Sequence, residues 1–418
     1  MYYVKNYFVF LLTFSLFAQN SLGFSPVILI PGDGGSQLEA KVNKTNVVHY
    51  ICAKTSNDFY NVWLNLELLV PFVIDCWIDN VRLEYNNVTR KTNNPQGVEI
   101  RVPGWGNPEP VEWLDPSHDS EGAYFNTIGD ALVKMGYVRN VSLRGAPYDF
   151  RKAPNENGEF FVKLKTLVEE TYEMNNKTAV TLLVHSMGGA MALQFLQLQS
   201  QSWKDQHIRR MISLSTPWGG AVKALKVFAI GDDLGSMMLS PSTLRAQQIT
   251  YPSLAWLLPS ARLWGPHELL VTTDKYNYTI NDLQKLFNDM ELPNAWEMRR
   301  DTEKYSSDVA APGVELHCIY GYNISTVERL DYKPGTWLDG KPNLVFGDGD
   351  GTVNLRSLSY CERWGKTRRR GGLWRAFQRG GWAPQASLKV LPLSNAEHLK
   401  ILHDPRVVQY ITTVMALP

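Results

Sequence analysis

Apolar residues in this chain come in short unbroken runs rather than in strict alternation. Val27–Ile30 (VILI) is apolar at every position, and Val180–Val184 (VTLLV) nearly so. Met211–Leu214 is a third short run, and Leu316–Tyr320 and Leu388–Leu391 are later strand candidates. Such runs suit strands covered on both faces, as in a parallel sheet. Elsewhere the spacing changes. Ala190–Leu198 (AMALQFLQL) reads as a buried helix. Asp404-Pro405 offers an N-cap and a first-turn proline, after which Val407, Val408, Ile411, Val414 and Met415 fall on one helical face. Strands alternating with helices predict an α/β fold.

Two stretches break this rhythm. Residues 45–115 are rich in Trp, Tyr, Asn and Pro, and residues 221–310 carry a polar Met-bearing segment before a mixed helical region. Both read as insertions. The predicted division is a sheet core from 24–44, 116–220 and 311–418, an accessory domain at 45–115 and a cap at 221–310.

The amino terminus adds a compartment. Lys5 precedes the apolar run Tyr7–Ala18, and Ser21-Leu22-Gly23 places small residues at the cleavage-specifying positions. Residues 1–23 are predicted to be a signal peptide. On a secretory route, six N-x-S/T sequons become candidate glycosylation sites: Asn43, Asn87, Asn140, Asn176, Asn277 and Asn323. Four cysteines, Cys52, Cys76, Cys318 and Cys361, are expected to be paired there, with three connectivities possible. Hydrophobic residues at 44% and charged residues at 20% exclude disorder. A formal net charge of +1 removes any global basic field for nucleic acid, so no nucleic-acid partner is expected.

The chemistry concentrates after the second run, at His185-Ser-Met-Gly-Gly189. Strand, serine and helix in immediate succession resemble the nucleophile elbow G-x-S-x-G, in which a sharp turn lifts a serine hydroxyl clear of the sheet. Gly188 meets the pattern; Val184 stands where the first glycine is expected. Ser186 is therefore the candidate nucleophile. The base should follow the last strand, and His398 in the polar loop Ser394–His398 is the candidate, with His403 beside the N-cap Asp404 read as local. The acid comes from Gly347-Asp-Gly-Asp-Gly351, where Asp348 and Asp350 are both available. Thr352 excludes a calcium loop of the EF-hand type there. Backbone donors for an oxyanion would be the amide of Met187 and, from the glycine-rich loop Pro31–Gly35, that of Asp33. This loop lacks the nucleotide P-loop pattern, and no cofactor or metal is expected.

Longer blocks then carry a resemblance: Ile30-Pro-Gly-Asp33 with Gln37–Lys41, Val62–Leu69, Asp75–Asn80, Arg144-Gly-Ala-Pro-Tyr-Asp149, His185-Ser-Met-Gly188, Pro217-Trp-Gly-Gly220 and Phe346–Asn354. Together they resemble the lecithin–cholesterol acyltransferase family, on its lysosomal phospholipase side, from about residue 26 to 418 with a break around 365–385. The resemblance implies an α/β-hydrolase with a disulfide-closed membrane-binding insertion and a cap bearing a lid near 225–260. It implies that Asp350, not Asp348, orients His398, and that Cys52 pairs with Cys76 and Cys318 with Cys361. It implies calcium-independent deacylation of glycerophospholipids and transfer of the acyl group to a lipid alcohol such as ceramide, in the lysosome or outside the cell. Sterol acyltransferases and neutral-lipid lipases are alternatives within enzymes; a lipid-binding pseudoenzyme is the alternative outside them. Val184 replaces the alanine tolerated by the family.

Two segments point to a membrane. Trp63, Leu64, Leu66, Leu68 and Leu69 form a dense apolar stretch, expected to be an amphipathic helix with lipid-facing members. Segment 365–385 interleaves Lys366 and five arginines with Leu373, Trp374, Phe377 and Trp382. A monomer bound peripherally to phospholipid is expected.

Overall fold

The computed structural model describes residues 24–118, 122–233, 240–307, 309–337, 340–365 and 387–417. The expected signal peptide, nearly all of the basic–aromatic segment and part of the expected lid lie outside these residues.

Six parallel strands form the central sheet: β1 (Val27–Ile30), β2 (Leu143–Gly145), β3 (Val180–His185), β4 (Ile208–Leu214), β5 (Glu315–Tyr322) and β6 (Leu388–Ser394). Their spatial order is β2-β1-β3-β4-β5-β6. The unbroken apolar runs follow from burial on both faces. Ile28, Ile30, Leu182 and Val184 join a core with Phe160, Leu164, Met191 and Phe195 of the helices Gly158–Met174 and Met187–Gln197. Val27, Leu29, Leu183, Ile212 and Leu214 face the other way, onto Ile128 and Leu132 of Asn126–Lys134 and Val407, Ile411 and Val414 of Pro405–Met415. The Asp404 side chain caps this last helix by accepting the Arg406 N–H. The chain is thus a three-layer α/β structure, an α/β-hydrolase.

The order of strands reverses between β1 and β3. In open α/β sheets ligands bind beyond the carboxyl ends of strands at such a reversal. Ile30 and Val184 are register partners, so the Pro31 loop and Ser186 emerge side by side from that crevice.

Two smaller sheets flank the central one. Tyr60–Trp63, Leu38–Val42 and Val98–Arg101 pair antiparallel in the accessory region. A four-stranded sheet runs Asn277–Thr279, Leu269–Thr272, Ile324–Asp331, Asn343–Gly349. It joins strands from both sides of residue 310. Cys52 is linked to Cys76, and Cys318 of β5 to Cys361. Loops spanning 24 and 43 residues are closed, each contributing about 3–4 kcal/mol if chain entropy dominates. Arg90 holds the accessory hairpin Glu84–Asn93 onto the helix Pro293–Ser307 through Glu297 and Asp301, and Tyr85 donates to Asp301 at 2.6 Å.

Candidate active site

β3 stops at His185, and the helix Met187–Gln197 begins two residues later. Ser186 absorbs the reversal with φ 52° and ψ −130°, a conformation a non-glycine residue holds only when its surroundings enforce it. Its N–H donates to Leu214 O at 2.9 Å, which fixes the turn to β4. The tightness of the turn falls on Gly188. A Cβ there would lie 2.2 Å from Pro31 O and 2.6 Å from Ile30 O, so helix and β1 touch backbone to backbone. Val184 meets no such constraint: it is an ordinary buried strand residue in the core of that sheet face.

Ser186 Oγ lies 2.9 Å from His398 Nε2, and His398 Nδ1 lies 2.7 Å from Asp350 Oδ2. Asp350 Oδ1 accepts the amides of Thr352 (3.1 Å) and Val353 (2.8 Å), leaving Oδ2 for the imidazole. The His398 N–H donates to Asp350 O, so acid and base are joined through backbone as well. Asp348 is exposed and, among the described residues, accepts the Asn323 N–H. His403 turns away to Thr127 Oγ1. The carboxylate arrives from the end of Asn343–Gly349, a strand of the second sheet rather than of the central one. With the acid on Nδ1 and the hydroxyl on Nε2, His398 can take the Ser186 proton as its oxygen attacks a carbonyl.

The Pro31–Gly35 loop supplies the opposite wall. A Cβ on Gly32 would lie 2.6 Å from Ser186 Cβ. Among the described residues the amides of Asp33 and Met187 make no hydrogen bond, which leaves both for an oxyanion. Surrounding residues brace this loop: Tyr148 Oη donates to Pro31 O at 3.0 Å, Ser36 Oγ accepts the Tyr148 N–H, and Trp63 Nε1 donates to Gly34 O at 2.6 Å. Asp33 is exposed to water as a residue, while protein is densely packed around its carboxyl. Desolvation raises its carboxyl to about 7, against the attraction of Lys223 and the Gly34 amide and with the repulsion of Asp232.

A family model described as lecithin:cholesterol acyltransferase matches residues 59–404. The chain belongs to this family. It is 44% identical over 393 residues to the human protein named lysosomal phospholipase A and acyltransferase, an alignment covering 94% of this chain and 91% of that protein. The bovine protein of that name is likewise 44% identical, over 94% of this chain and 92% of its own. A chicken phosphatidylcholine-sterol acyltransferase is 42% identical over 339 residues, 81% of each chain.

Within this family member the structure redraws the apolar stretch expected to be an amphipathic helix. Trp63 ends a strand, and only Leu66–Leu69 is helical, as one 3-10 turn. Trp63 is half-buried and packs on Trp77, Phe150 and the Gly34 backbone, so its ring braces the Pro31–Gly35 loop. Leu64 and Leu68 pack half-buried on the core and Leu69 is buried. Leu66 is 51% exposed, and the exposed apolar face continues through Val70 to Phe72 at 72%. The Cys52–Cys76 bridge brings the exposed Tyr50 and Ile51 toward this face. The six sequon asparagines are all exposed, three of them (Asn140, Asn176, Asn323) at positive φ, which asparagine tolerates. Tyr148 lies within a motif visible in the sequence; Tyr124, bonded to the Gly32 amide, carries no such signal.

Proposed function

We propose that the protein is a lysosomal or secreted phospholipase A and O-acyltransferase working through a Ser186 acyl-enzyme. The Ser186–His398–Asp350 alignment, in a chain so similar to proteins named for both activities, carries this reading. His398 accepts the Ser186 proton, and Ser186 Oγ attacks a fatty acyl ester of a glycerophospholipid. The amides of Asp33 and Met187 hold the resulting oxyanion. Collapse passes the proton from His398 to the leaving lysophospholipid. Water or a lipid alcohol such as ceramide then enters along the same path and is activated by the same imidazole. No step calls on a metal or cofactor. The similarity to the chicken sterol acyltransferase supports a second reading, in which a sterol is the acceptor. Product analysis on phosphatidylcholine liposomes, with ceramide, with cholesterol and with neither, separates the two. Free fatty acid plus acylceramide is the expected outcome; a cholesteryl ester as dominant product selects the second reading, and no acyl release refutes both.

In this reading residues 45–115 dock on the membrane, 221–310 cover the site, and the asparagines of the sequons carry glycans. The exposed face from Leu66 to Phe72 would enter lipid. Burying one such side chain is worth roughly 1.5–3 kcal/mol. Replacing Leu66 and Phe72 by serine is therefore expected to weaken liposome sedimentation by about tenfold or more, with turnover of a small soluble ester retained. Trp63→Ser should do the reverse, lowering soluble-ester turnover because the oxyanion loop loses its brace. If the Leu66/Phe72 variant loses soluble-ester turnover to the same degree as binding, the docking face lies elsewhere.

Asp33 is expected to set an alkaline limit on turnover. Below about 7 its carboxyl is protonated and neutral. Above that it places a negative charge beside the forming oxyanion and opposes it. Turnover of a soluble ester should thus fall as pH rises through about 7, and Asp33→Asn should hold its activity further into the alkaline range. Identical alkaline limbs in both proteins would remove Asp33 from the explanation.

A further inference from the structure

Behind the proposed catalytic groups lies a buried chain of hydrogen bonds that the acyl-enzyme mechanism does not use. Tyr124 (4% exposed) stands just before the helix Asn126–Lys134, and its Oη is 2.9 Å from the Gly32 amide. The same Oη is hydrogen-bonded to His185 Nδ1. His185 (1% exposed) reaches on with Nε2 to the backbone oxygen of His398 at 2.9 Å. Three loops meet on these two side chains: the oxyanion loop at Gly32, the serine turn at His185 and the base loop at His398.

The chemistry of the end groups fixes every proton in this chain. An amide can only donate, so Tyr124 Oη accepts from Gly32. A carbonyl can only accept, so His185 Nε2 carries hydrogen. Burial, reinforced by His398, holds the His185 imidazole well below its ordinary range, so the ring is neutral and Nδ1 is bare. Tyr124 Oη–H must then donate to Nδ1. Burial holds the tyrosine protonated, since its hydroxyl is raised above the ordinary value. Each hydrogen bond thus runs in one direction, and no alternative tautomer satisfies both ends.

We propose that Tyr124 and His185 are positioning residues for acyl transfer, setting the oxyanion loop and the backbone of His398 against the serine turn. The proposal rests on the Ser186 acyl-enzyme reading. The aim of the Asp33 amide depends on the peptide before it, whose Gly32 N–H is held by Tyr124. His398 is held at both ends of its own backbone, by Asp350 O at its N–H and by His185 at its carbonyl. A misplacement of about 1 Å in such a constellation can cost on the order of 100-fold in rate.

Tyr124→Phe removes one oxygen and leaves the ring. The expected result is a kcat for a soluble ester lower by about 10- to 100-fold, with KM within about twofold of wild type. Phosphonylation of Ser186 by a fluorophosphonate should slow in parallel, because charge develops on the phosphoryl oxygen as it does on a carbonyl. His185→Asn keeps an acceptor for Tyr124 in the place of Nδ1 and loses the bond to His398 O; it should show a smaller loss of the same kind. This second variant decides the matter if Tyr124→Phe does not fold. Thermal melts distinguish a changed rate from a smaller folded fraction. Wild-type kcat and labelling rate in the folded variants overturn the proposal, as does a loss carried by KM or by unfolding alone. If the wild-type protein itself is not labelled at Ser186, the acyl-enzyme reading has failed rather than the positioning role.

Discussion

Ser186→Ala is expected to fold and to lose hydrolysis and acyl transfer together, by roughly five to six orders of magnitude. The two activities share one covalent intermediate in the proposed mechanism, so neither can survive without the other. The companion substitutions are more discriminating. Asp350→Asn should lower kcat by about 10⁴-fold, because an amide at Oδ2 no longer holds the Nδ1–H tautomer of His398. Asp348→Asn should stay near wild type, since that side chain is exposed and accepts the Asn323 amide on the outer side of the turn. Rates on a soluble ester, with fluorophosphonate labelling as a count of competent serines, measure all three. Residual transfer in Ser186→Ala would break the shared intermediate. A dead Asp348→Asn beside an active Asp350→Asn would reassign the acid.

A methyl group at position 188 should be nearly as damaging without touching any reacting atom. The Cβ of Gly188→Ala would fall 2.2 Å from Pro31 O, which no real contact of this kind tolerates. The backbone carbonyl cannot swing aside, because Pro31 O also accepts the Tyr148 hydroxyl. The helix Met187–Gln197 must therefore lift from β1, taking the Met187 amide away from the Asp33 amide. Loss of one oxyanion donor costs about 10²–10³-fold in kcat, and here the two donors move apart together. We expect a fall of at least about 10³-fold, with overpacking costing roughly 1–3 kcal/mol of stability. Gly158→Ala is the control. A Cβ there meets nothing within 4 Å and its φ is not in the left-handed region, so activity should be unchanged. Wild-type turnover by Gly188→Ala would show that helix and strand are not in contact.

What could be read in the sequence tracks how strongly each element is dictated by its own residues. Four central strands were legible because burial leaves a largely apolar run, and the edge strand Leu388–Ser394, half-exposed and holding Lys389, offered only a weaker pattern. The sixth, Leu143–Gly145, is three residues with an arginine at its centre and offers no such signal. The second sheet escaped for a different reason: Asn343–Gly349 is half-exposed and glycine-bearing, and reads as a turn. Ser186 and His398 could be placed by strand context, whereas Asp348 and Asp350 sit among identical glycines and were separated only by family resemblance. Their physical difference is tertiary. The strand ends at Gly349, and Gly351 at φ 88° turns the chain so that the Asp350 carboxylate receives two amides and faces inward. The packing of Trp63 could not be read from the sequence, because its partners, Gly34 and Phe150, come from distant parts of the chain.

The second sheet also limits how this enzyme can be recombined with its relatives. Exchanging residues 221–310 as a cassette, to move substrate preference from one scaffold to another, would cut between Leu269–Thr272 and its parallel neighbour Ile324–Asp331. That neighbour pairs in turn with the strand that delivers Asp350. Asn354 ties the same region to the first cap helix, accepting the Val222 N–H and donating to Val327 O. Residues 221–310 and Asp350, the proposed acid, thus travel as one inheritable block, and chimeras with crossovers before Ala221 and after Asn354 keep it whole. A swap ending near residue 310 would leave the acid's own sheet with mismatched halves, so specificity could not be traded there without also trading turnover.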